Sequence, residues 1–334
     1  MQRTFHWGII GPGRIARKFA SDLRLLPNAR LHAVASTDAA RARSFADEFG
    51  ADFAYGRYED IARCPGLDVV YVATPHMLHH DCTLLCLEKG IPVLCEKPFA
   101  MNAAQAQRMI DAARRNGVFL MEALWTLFIP GVVKAVELLR QNAIGPLHTV
   151  KADFGFKSVF DPTSRLYDPK LGGGSLLDIG IYPALLALDL FGKPSPENVQ
   201  ATASFGPSGV DESCAFMFRY PGNRLALGHS TVAANTPVEA WLYGSEGAIY
   251  LAPRWHHTRQ VRLYDYDKRD APKEIFDCAY PGFGYQFEAD HVQDCLDAGL
   301  TESPRVPLDF SLGLMQTLDR IRELIGLVYP ADGE

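Results

Sequence analysis

The sequence predicts an α/β protein: an N-terminal doubly wound parallel sheet, followed by a C-terminal α+β domain with an open, mostly antiparallel sheet. Three observations carry that prediction. A glycine pattern, Gly8-Ile9-Ile10-Gly11-Pro12-Gly13-Arg14-Ile15-Ala16, joins a strand-like segment to a helix-like one near the N-terminus. Strand and helix patterns alternate through the first third of the chain, as βαβ units do. From Glu197 to about Tyr266, strand patterns instead follow one another across short turns. At 334 residues the chain exceeds the size at which one core usually stops growing, so two domains are expected, residues 1–123 and 124–334. The last helix is free to pack back on the first domain.

Taken in order, the expected strands of the first domain are Phe5–Ile10, Arg30–Ser36, Leu67–Ala73, Pro92–Cys95 and Val118–Met121. Several are almost wholly apolar, as strands covered by helices on both faces must be. Helical patterns run near Arg14–Leu26, Ala39–Phe49, His79–Lys89 and Ala103–Arg115. Beyond residue 123 a helix is expected over Pro130–Gln141, and Gly145-Pro146 then turns into a strand, Leu147–Phe156. A loop rich in Asp, Pro and Gly, Lys157–Gly174, precedes a helix over Ile181–Phe191. Turn residues at Gly206-Pro207, Pro221-Gly222-Asn223, Asn235-Thr236-Pro237 and Gly244 divide the strands, and two helices, Gln286–Ala298 and Leu308–Ile325, close the chain.

Composition narrows the function classes. Hydrophobic residues make up 48% and charged residues 22%, values ordinary for a soluble globular protein. A net charge of −6, with no run of like charges, gives no electrostatic reason to expect nucleic acid or an anionic membrane as partner. No segment is expected to offer the roughly 20 apolar residues that span a bilayer. Met1-Gln2-Arg3-Thr4 runs straight into a strand pattern, leaving no room for a secretory signal. The seven cysteines form no Cys-x-x-Cys pair and read as reduced thiols, so a cytoplasmic location is expected.

The glycine pattern is the dinucleotide fingerprint G-x-G-x-x-A of a Rossmann-type domain, in its required place between strand and helix. Gly11 permits the tight turn, Gly13 lets backbone approach a pyrophosphate, and Ala16 allows close packing of helix on strand. Pro12, Arg14 and Ile15 complete the turn and the helix N-terminus, whose free N–H groups suit phosphate. Where an NAD site carries an acidic residue at the end of the second strand, this chain has Ser36-Thr37, then Asp38 and Arg41. Hydroxyls and a guanidinium suit a 2′-phosphate, so NADP is favoured. NAD stays open, because Asp38 either caps the next helix or reaches a ribose 2′-hydroxyl.

Two further stretches look unlike scaffold: Cys95-Glu96-Lys97-Pro98, at the ligand-binding end of a strand, and Gly172-Gly173-Gly174-Ser175-Leu176-Leu177-Asp178-Ile179-Gly180-Ile181-Tyr182-Pro183. The second reads as a flexible glycine run delivering Asp178 and Tyr182 near a helix start. At these residues, at Met121-Glu122-Ala123-Leu124-Trp125 and at Tyr285–His291, the chain resembles the glucose–fructose oxidoreductase/inositol dehydrogenase/MocA-like family. Within it, the dimeric dihydrodiol dehydrogenases and the bacterial xylose-type sugar dehydrogenases are the most similar subgroup, and the likeness covers nearly the whole chain.

The resemblance implies an NAD(P)-dependent oxidoreductase in which Lys97 and Tyr182 meet at the nicotinamide. The chemistry agrees: an ammonium beside a phenol lowers its pKa from about 10 toward working pH. Tyr182 then serves as general base in oxidation and as acid in reduction, while Lys97 stabilises alkoxide charge and Asp178 orients the substrate or Lys97. Read without the resemblance, Lys97 is a solvated loop lysine, Asp178 a helix N-cap and Tyr182 a rim residue. The resemblance also places Thr74, Pro75, His79 and Glu96 along the cofactor groove, and Trp125, Phe154, Arg165 and Tyr280 around the substrate. Aromatic side chains there suit a sugar face or an aromatic diol. His76, His79, His80, Cys82 and Cys86 fit no standard zinc spacing, and no metal is expected.

The chain departs from these relatives at Leu127 and His148, where they often carry arginine. The expected function is hydride transfer between NADP(H) and a small-molecule sugar or vicinal diol, or its carbonyl. A non-catalytic cofactor-binding sensor of the same fold is the alternative. One face of the antiparallel sheet needs cover, so a homo-oligomer is expected, a dimer by resemblance.

Overall fold

The computed structural model describes residues 3–268 and 271–333; Met1 and Gln2, where the N-terminal reading begins, lie outside the described residues. The chain forms two compact units, Met1–Trp125 with Pro281–Leu312, and Thr126–Tyr280 with Gly313–Glu334.

The first unit holds a six-stranded parallel sheet in the order β3-β2-β1-β4-β5-β6. Its strands are β1 (Phe5–Ile10), β2 (Ala29–Ala35), β3 (Phe53–Tyr55), β4 (Val69–Val72), β5 (Val93–Glu96) and β6 (Leu120–Ala123). Helices α1 (Arg14–Leu23), α2 (Ala39–Phe49), α3 (His79–Leu87) and α4 (Ala103–Asn116) alternate with them. The strand order reverses between β1 and β4, the switch point beside which ligands of such sheets bind. Strand β4 is buried at all four positions, as its unbroken apolar run demands. Asp38 caps α2 through the Ala40 and Arg41 amides, and Gly50, at φ 77°, ends it. Strand β3 was not expected, because three half-buried residues carry no readable period. Strand β6 lies two residues later than expected, which puts Glu122 inside it.

Helix α7 (Tyr285–Asp297) and the start of α8 (Leu308–Ile325) also belong to the first unit. Helix α7 is held by a contact that no local signal announces. The carboxylate of Asp22, near the end of α1, accepts hydrogen bonds from the backbone amides of Phe283, Gly284 and Tyr285 at 2.8–2.9 Å. It thus caps α7 from a distant part of the chain, where a negative charge also meets the positive end of the helix dipole. Gly282, at φ 71°, lets the turn close, since an added Cβ would lie 2.3 Å from Asp22 Oδ1.

The second unit holds an eight-stranded sheet in the order β14-β13-β12-β11-β7-β10-β9-β8. The strands are β7 (Leu147–Gly155), β8 (Val199–Phe205), β9 (Asp211–Tyr220), β10 (Arg224–Thr231), β11 (Ala240–Gly244), β12 (Gly247–Leu251), β13 (Gln260–Asp265) and β14 (Glu274–Asp277). Every pairing is antiparallel except β7 with β10. Strand β14 was not expected; it is a short edge strand with three of four residues exposed or nearly so. Helices α5 (Pro130–Arg140) and α6 (Ile181–Phe191, the expected range) pack on the sheet. Positions alternate along β7, β10 and β11, with Val150, Ala152, Ala226, Ala240 and Leu242 buried.

The expectation that no segment is apolar enough to cross a bilayer needs correction. The helical stretch Pro169–Phe191 spans 23 residues and contains an 18-residue window of mean hydropathy 1.5, 83% of which is buried inside the fold. Its apolarity is explained by packing in the core of a unit.

Asp22→Ala should lower the unfolding free energy by about 2 kcal/mol, the upper range for loss of a helix cap, measured by urea denaturation. An unchanged midpoint would show that Asp22 contributes nothing to holding α7.

Candidate active site

In the first unit, the fingerprint folds as its glycines require. The Gly11 amide donates to Ala35 O at 3.0 Å and the Gly13 amide to Gly11 O at 2.8 Å. Gly11 sits at φ 88°, and a Cβ there would lie 2.9 Å from both Ala73 O and Thr74 N. Gly13 has an ordinary φ of −91°, so its lack of a side chain provides space and not a special turn. Among the described residues a Cβ at Gly13 would meet only Gly11 O, at 4.0 Å, and the N-cap of α1 is this glycine, which has no side chain to cap it. Pro12 is buried, Arg14 exposed and Ile15 half-buried. An open backbone at an uncapped helix N-terminus fits a dinucleotide pyrophosphate.

At the end of β2, Arg41 Nε donates to Ser36 Oγ at 2.8 Å and its terminal nitrogen to Thr37 Oγ1 at 3.0 Å. The three residues form one cluster of hydroxyls and guanidinium. Asp38 turns away from it: Oδ1 accepts from the Ala40 and Arg41 amides at 2.8 and 3.1 Å. Those amides, chiefly that of Arg41, hold its carboxyl below the usual carboxylate range.

The ends of β4 and β5 are joined by His79. Its Nδ1 lies 2.8 Å from Pro98 O and its Nε2 2.9 Å from Thr74 O. Burial, reinforced by the Lys97 ammonium, pushes the imidazole down to about 4 against the pull of the two carbonyls. Pro75 beside it is exposed. Glu96 turns toward its own sheet: it accepts from the Tyr71 hydroxyl, and its Oε2 accepts from the Lys97 amide at 3.1 Å.

Other acids are buried with it. Both oxygens of Glu288, on α7, lack a hydrogen-bond partner among the described residues. Burial first, then the nearby Glu96, raises that carboxyl well above its usual range. Burial also pushes Glu122 up to about 8. Trp125, nearly buried, stacks on Tyr285 of α7 with centroids 4.6 Å apart.

In the second unit the glycine run is a packed element, not the flexible one expected. Tyr329 donates its hydroxyl to Gly173 O at 2.5 Å. A Cβ on Gly174, at φ 118°, would lie 2.2 Å from Asp211 Oδ1. Asp211 then accepts from Ser175 Oγ at 2.7 Å and from the Leu176 amide at 2.8 Å, starting the π-helical turn Leu176–Gly180 that leads into α6. This turn carries Asp178, which pairs with Arg165 at 2.8 Å. Tyr182, one residue into α6, lies 5.4 Å from Phe154 by ring centroids.

The sequence reading missed the next member of that group. His256 lies 5.0 Å from Tyr182 and stacks on Phe154 at 4.3 Å. Tyr280 stands one step away, donating to His257 O at 3.1 Å under the Arg259 guanidinium. The adjacent Trp255-His256-His257 in the sequence was a signal available but unused.

Comparison with known proteins agrees with this architecture. Residues 5–124 match the family model for an oxidoreductase family with an NAD-binding Rossmann fold, and residues 132–250 that for the GFO/IDH/MocA C-terminal domain. The chain is 38% identical to trans-1,2-dihydrobenzene-1,2-diol dehydrogenase of Mus musculus, covering 98% of this chain and 99% of that protein. The Danio rerio enzyme of that name is 40% identical, at 99% and 100% coverage.

The chain belongs to the GFO/IDH/MocA oxidoreductase family.

Among solved structures, aldose-aldose oxidoreductase of Caulobacter crescentus, complexed with glycerol, superposes with a TM-score of 0.86 at 27% identity, covering 99% of each chain. A 3-ketoreductase of Actinomadura kijaniata in complex with NADP and TDP-benzene gives 0.84 at 25% identity, covering 97% and 98%. This GFO/IDH/MocA protein is an NAD(P)-dependent dehydrogenase or reductase acting on CH–OH groups of a small-molecule substrate. The sensor alternative is thereby set aside.

The raised acid in this oxidoreductase has a measurable consequence. Glu122 adds stability only while protonated, so the protein loses stability as pH rises from about 4.3 through about 8. Glu122→Gln should flatten that slope in urea unfolding at pH 5 and pH 8; equal slopes would show that Glu122 ionises freely.

Proposed function

We propose that this oxidoreductase is NADP(H)-dependent and moves a hydride between the nicotinamide and a sugar or vicinal-diol hydroxyl, or the corresponding carbonyl. Tyr182 is the acid/base and Lys97 assists it. Ser36, Thr37 and Arg41 would hold the 2′-phosphate, and the α1 N-terminus with Gly11 and Gly13 the pyrophosphate. When bound, the nicotinamide supplies the site for hydride gain or loss. Tyr182 takes the hydroxyl proton in oxidation and returns it in reduction. Lys97 lowers the cost of the alkoxide charge, and Asp178, paired with Arg165, positions the polar end of the substrate.

The observation that carries the cofactor preference is the cluster in which Arg41 gathers the Ser36 and Thr37 hydroxyls, while Oδ1 of Asp38 accepts from the Ala40 and Arg41 amides. The substrate reading is supported by relatives named for a dihydrodiol and for aldoses.

Arg41→Ala should weaken NADP(H) binding tenfold to a hundredfold, about 1.5–3 kcal/mol, and leave NAD(H) nearly unchanged, as followed by titration. Equal losses for both cofactors would refute the 2′-phosphate assignment. Lys97→Met and Tyr182→Phe should each lower kcat/KM by about 10²–10⁴ with cofactor affinity retained. Retained turnover in either variant would remove that residue from the mechanism. Aldoses, inositols and aromatic trans-dihydrodiols, with dicarbonyls in the reverse direction, form the substrate panel for those assays.

A homodimer through the second sheet is part of the same reading. Trp241 stacks against Tyr243, Tyr250 and Tyr264 at 4.5–5.6 Å, and register sets it beside Lys151, with Leu227 and Met217 following in the same row. An aromatic sheet face of this kind is suited to a second copy of itself. Trp241→Glu should shift the mass in light scattering from dimer to monomer; a monomeric parent protein would end the dimer reading.

A further inference from the structure

His256 lies outside everything assigned so far, yet its ring lies 5.0 Å from that of Tyr182 on a well-fixed turn. It belongs to a single helical turn, Trp255–His257, just after β12. That turn is fixed from several sides. Trp255 is wholly buried, its indole N–H donates to Asp153 O at 2.9 Å, and its amide donates to Val238 O at 3.1 Å. The His257 carbonyl accepts from the Tyr280 hydroxyl at 3.1 Å. Thr258, which ends the turn, presses on α5 so closely that a Cβ on Gly131 would lie 2.5 Å from it. The residue is 7% exposed, and its imidazole lies nearly parallel to Phe154 at an interplanar angle of 19° and is tilted 44° against Tyr182.

Phe154, Tyr182 and His256 thus form a three-ring group within one unit, every pair within 5.4 Å by centroids. A phenyl ring would make the same stacking contact at a lower desolvation cost. The imidazole adds what a phenyl lacks, a polar edge with at least one N–H donor in either protonation state. Ring centroids 5.0 Å apart put Tyr182 and His256 within the span of one small molecule. A group that hydrogen-bonds a substrate hydroxyl also discriminates strongly against the analogue without it.

We propose that His256 is a specificity-determining residue that binds the substrate oxygen adjacent to the reacting one, so that Tyr182 and His256 together read a vicinal diol or an α-hydroxy carbonyl. The proposal rests on the reading of Tyr182 as acid/base. In oxidation the carbinol C–H bond breaks and its hydride passes to the oxidised nicotinamide. The O–H proton passes to Tyr182 and a C=O bond forms. The neighbouring hydroxyl, held by His256, is unchanged, and His256 gains and loses no electrons.

The test compares trans-cyclohexane-1,2-diol with cyclohexanol as substrates of the full-length protein with NADP, with 2-hydroxycyclohexanone and cyclohexanone in the reverse direction. The parent protein should prefer the compound with two adjacent oxygens. His256→Phe, which keeps the stacking, should lower kcat/KM for the diol about tenfold and leave the monoalcohol within about twofold. His256→Gln, which keeps a donor, should retain most of the preference, and serves alone if the Phe variant does not fold.

A parallel loss on both substrates would mean that His256 only packs, and no change on either would mean that it does not meet substrate. Each result overturns the proposal, as does a parent protein that turns over neither compound. Tyr182→Phe separates the two readings. If it keeps turnover, the acid/base assignment falls, while a diol preference that still depends on His256 supports the specificity role.

Discussion

The first unit depends on one steric constraint, the approach of the Gly11 turn to the end of β4. Ala73 O and Thr74 N lie where a Cβ of Gly11 would sit, so any side chain there would force the two strands apart at the switch point. That approach sets the position of Thr74, whose carbonyl meets His79, whose other ring nitrogen meets Pro98. Pro98 follows Lys97, and the Lys97 amide bonds Glu96, which in turn takes the hydroxyl of Tyr71 on β4. The phosphate-binding turn and the lysine of the proposed mechanism are thus linked by contacts between neighbouring strand ends. An error of an ångström at Gly11 would be passed along that series, and positioning errors of that size are costly in catalysis.

Both units start a helix with a buried carboxylate borrowed from elsewhere. Asp22 of α1 caps α7, the helix that carries Tyr285, stacked on Trp125, and Glu288, whose carboxyl feels the charge of Glu96. Asp211 of β9 caps the turn before α6, which carries Asp178 and Tyr182. In each case burial raises the carboxyl while backbone amides pull it down, and burial wins, to about 6 for Asp211. In both cases the carboxylate fixes the start of a helix that its own local sequence leaves without a side-chain cap.

Local chemistry made much of this legible. The glycine pattern, the apolar run of β4, the Asp38 start of α2 and the range of α6 are all written within a few residues of where they act. Ser36, Thr37 and Arg41 could be grouped because a strand end and the first turn of a helix fix their spacing. The role of Asp38 stayed open, since a carboxylate at that point serves a helix or a ribose equally well. The structure shows its Oδ1 accepting from the Ala40 and Arg41 amides.

What the sequence determined by itself, then, is the fold class, the two sheets and the residues whose partners lie close in the chain. Tertiary structure alone decided the rest. Asp22 meets Phe283 across 261 positions, the glycine run is packed because Tyr329 and Asp211 close on it, and His256 reaches Tyr182 from a separate turn. Strands β3 and β14 escaped notice because three or four residues are too few to show a period. The physical reason is common to all of these: periodicity, caps and turns are local signals. A contact between distant segments leaves no mark in either one until the chain has brought them together.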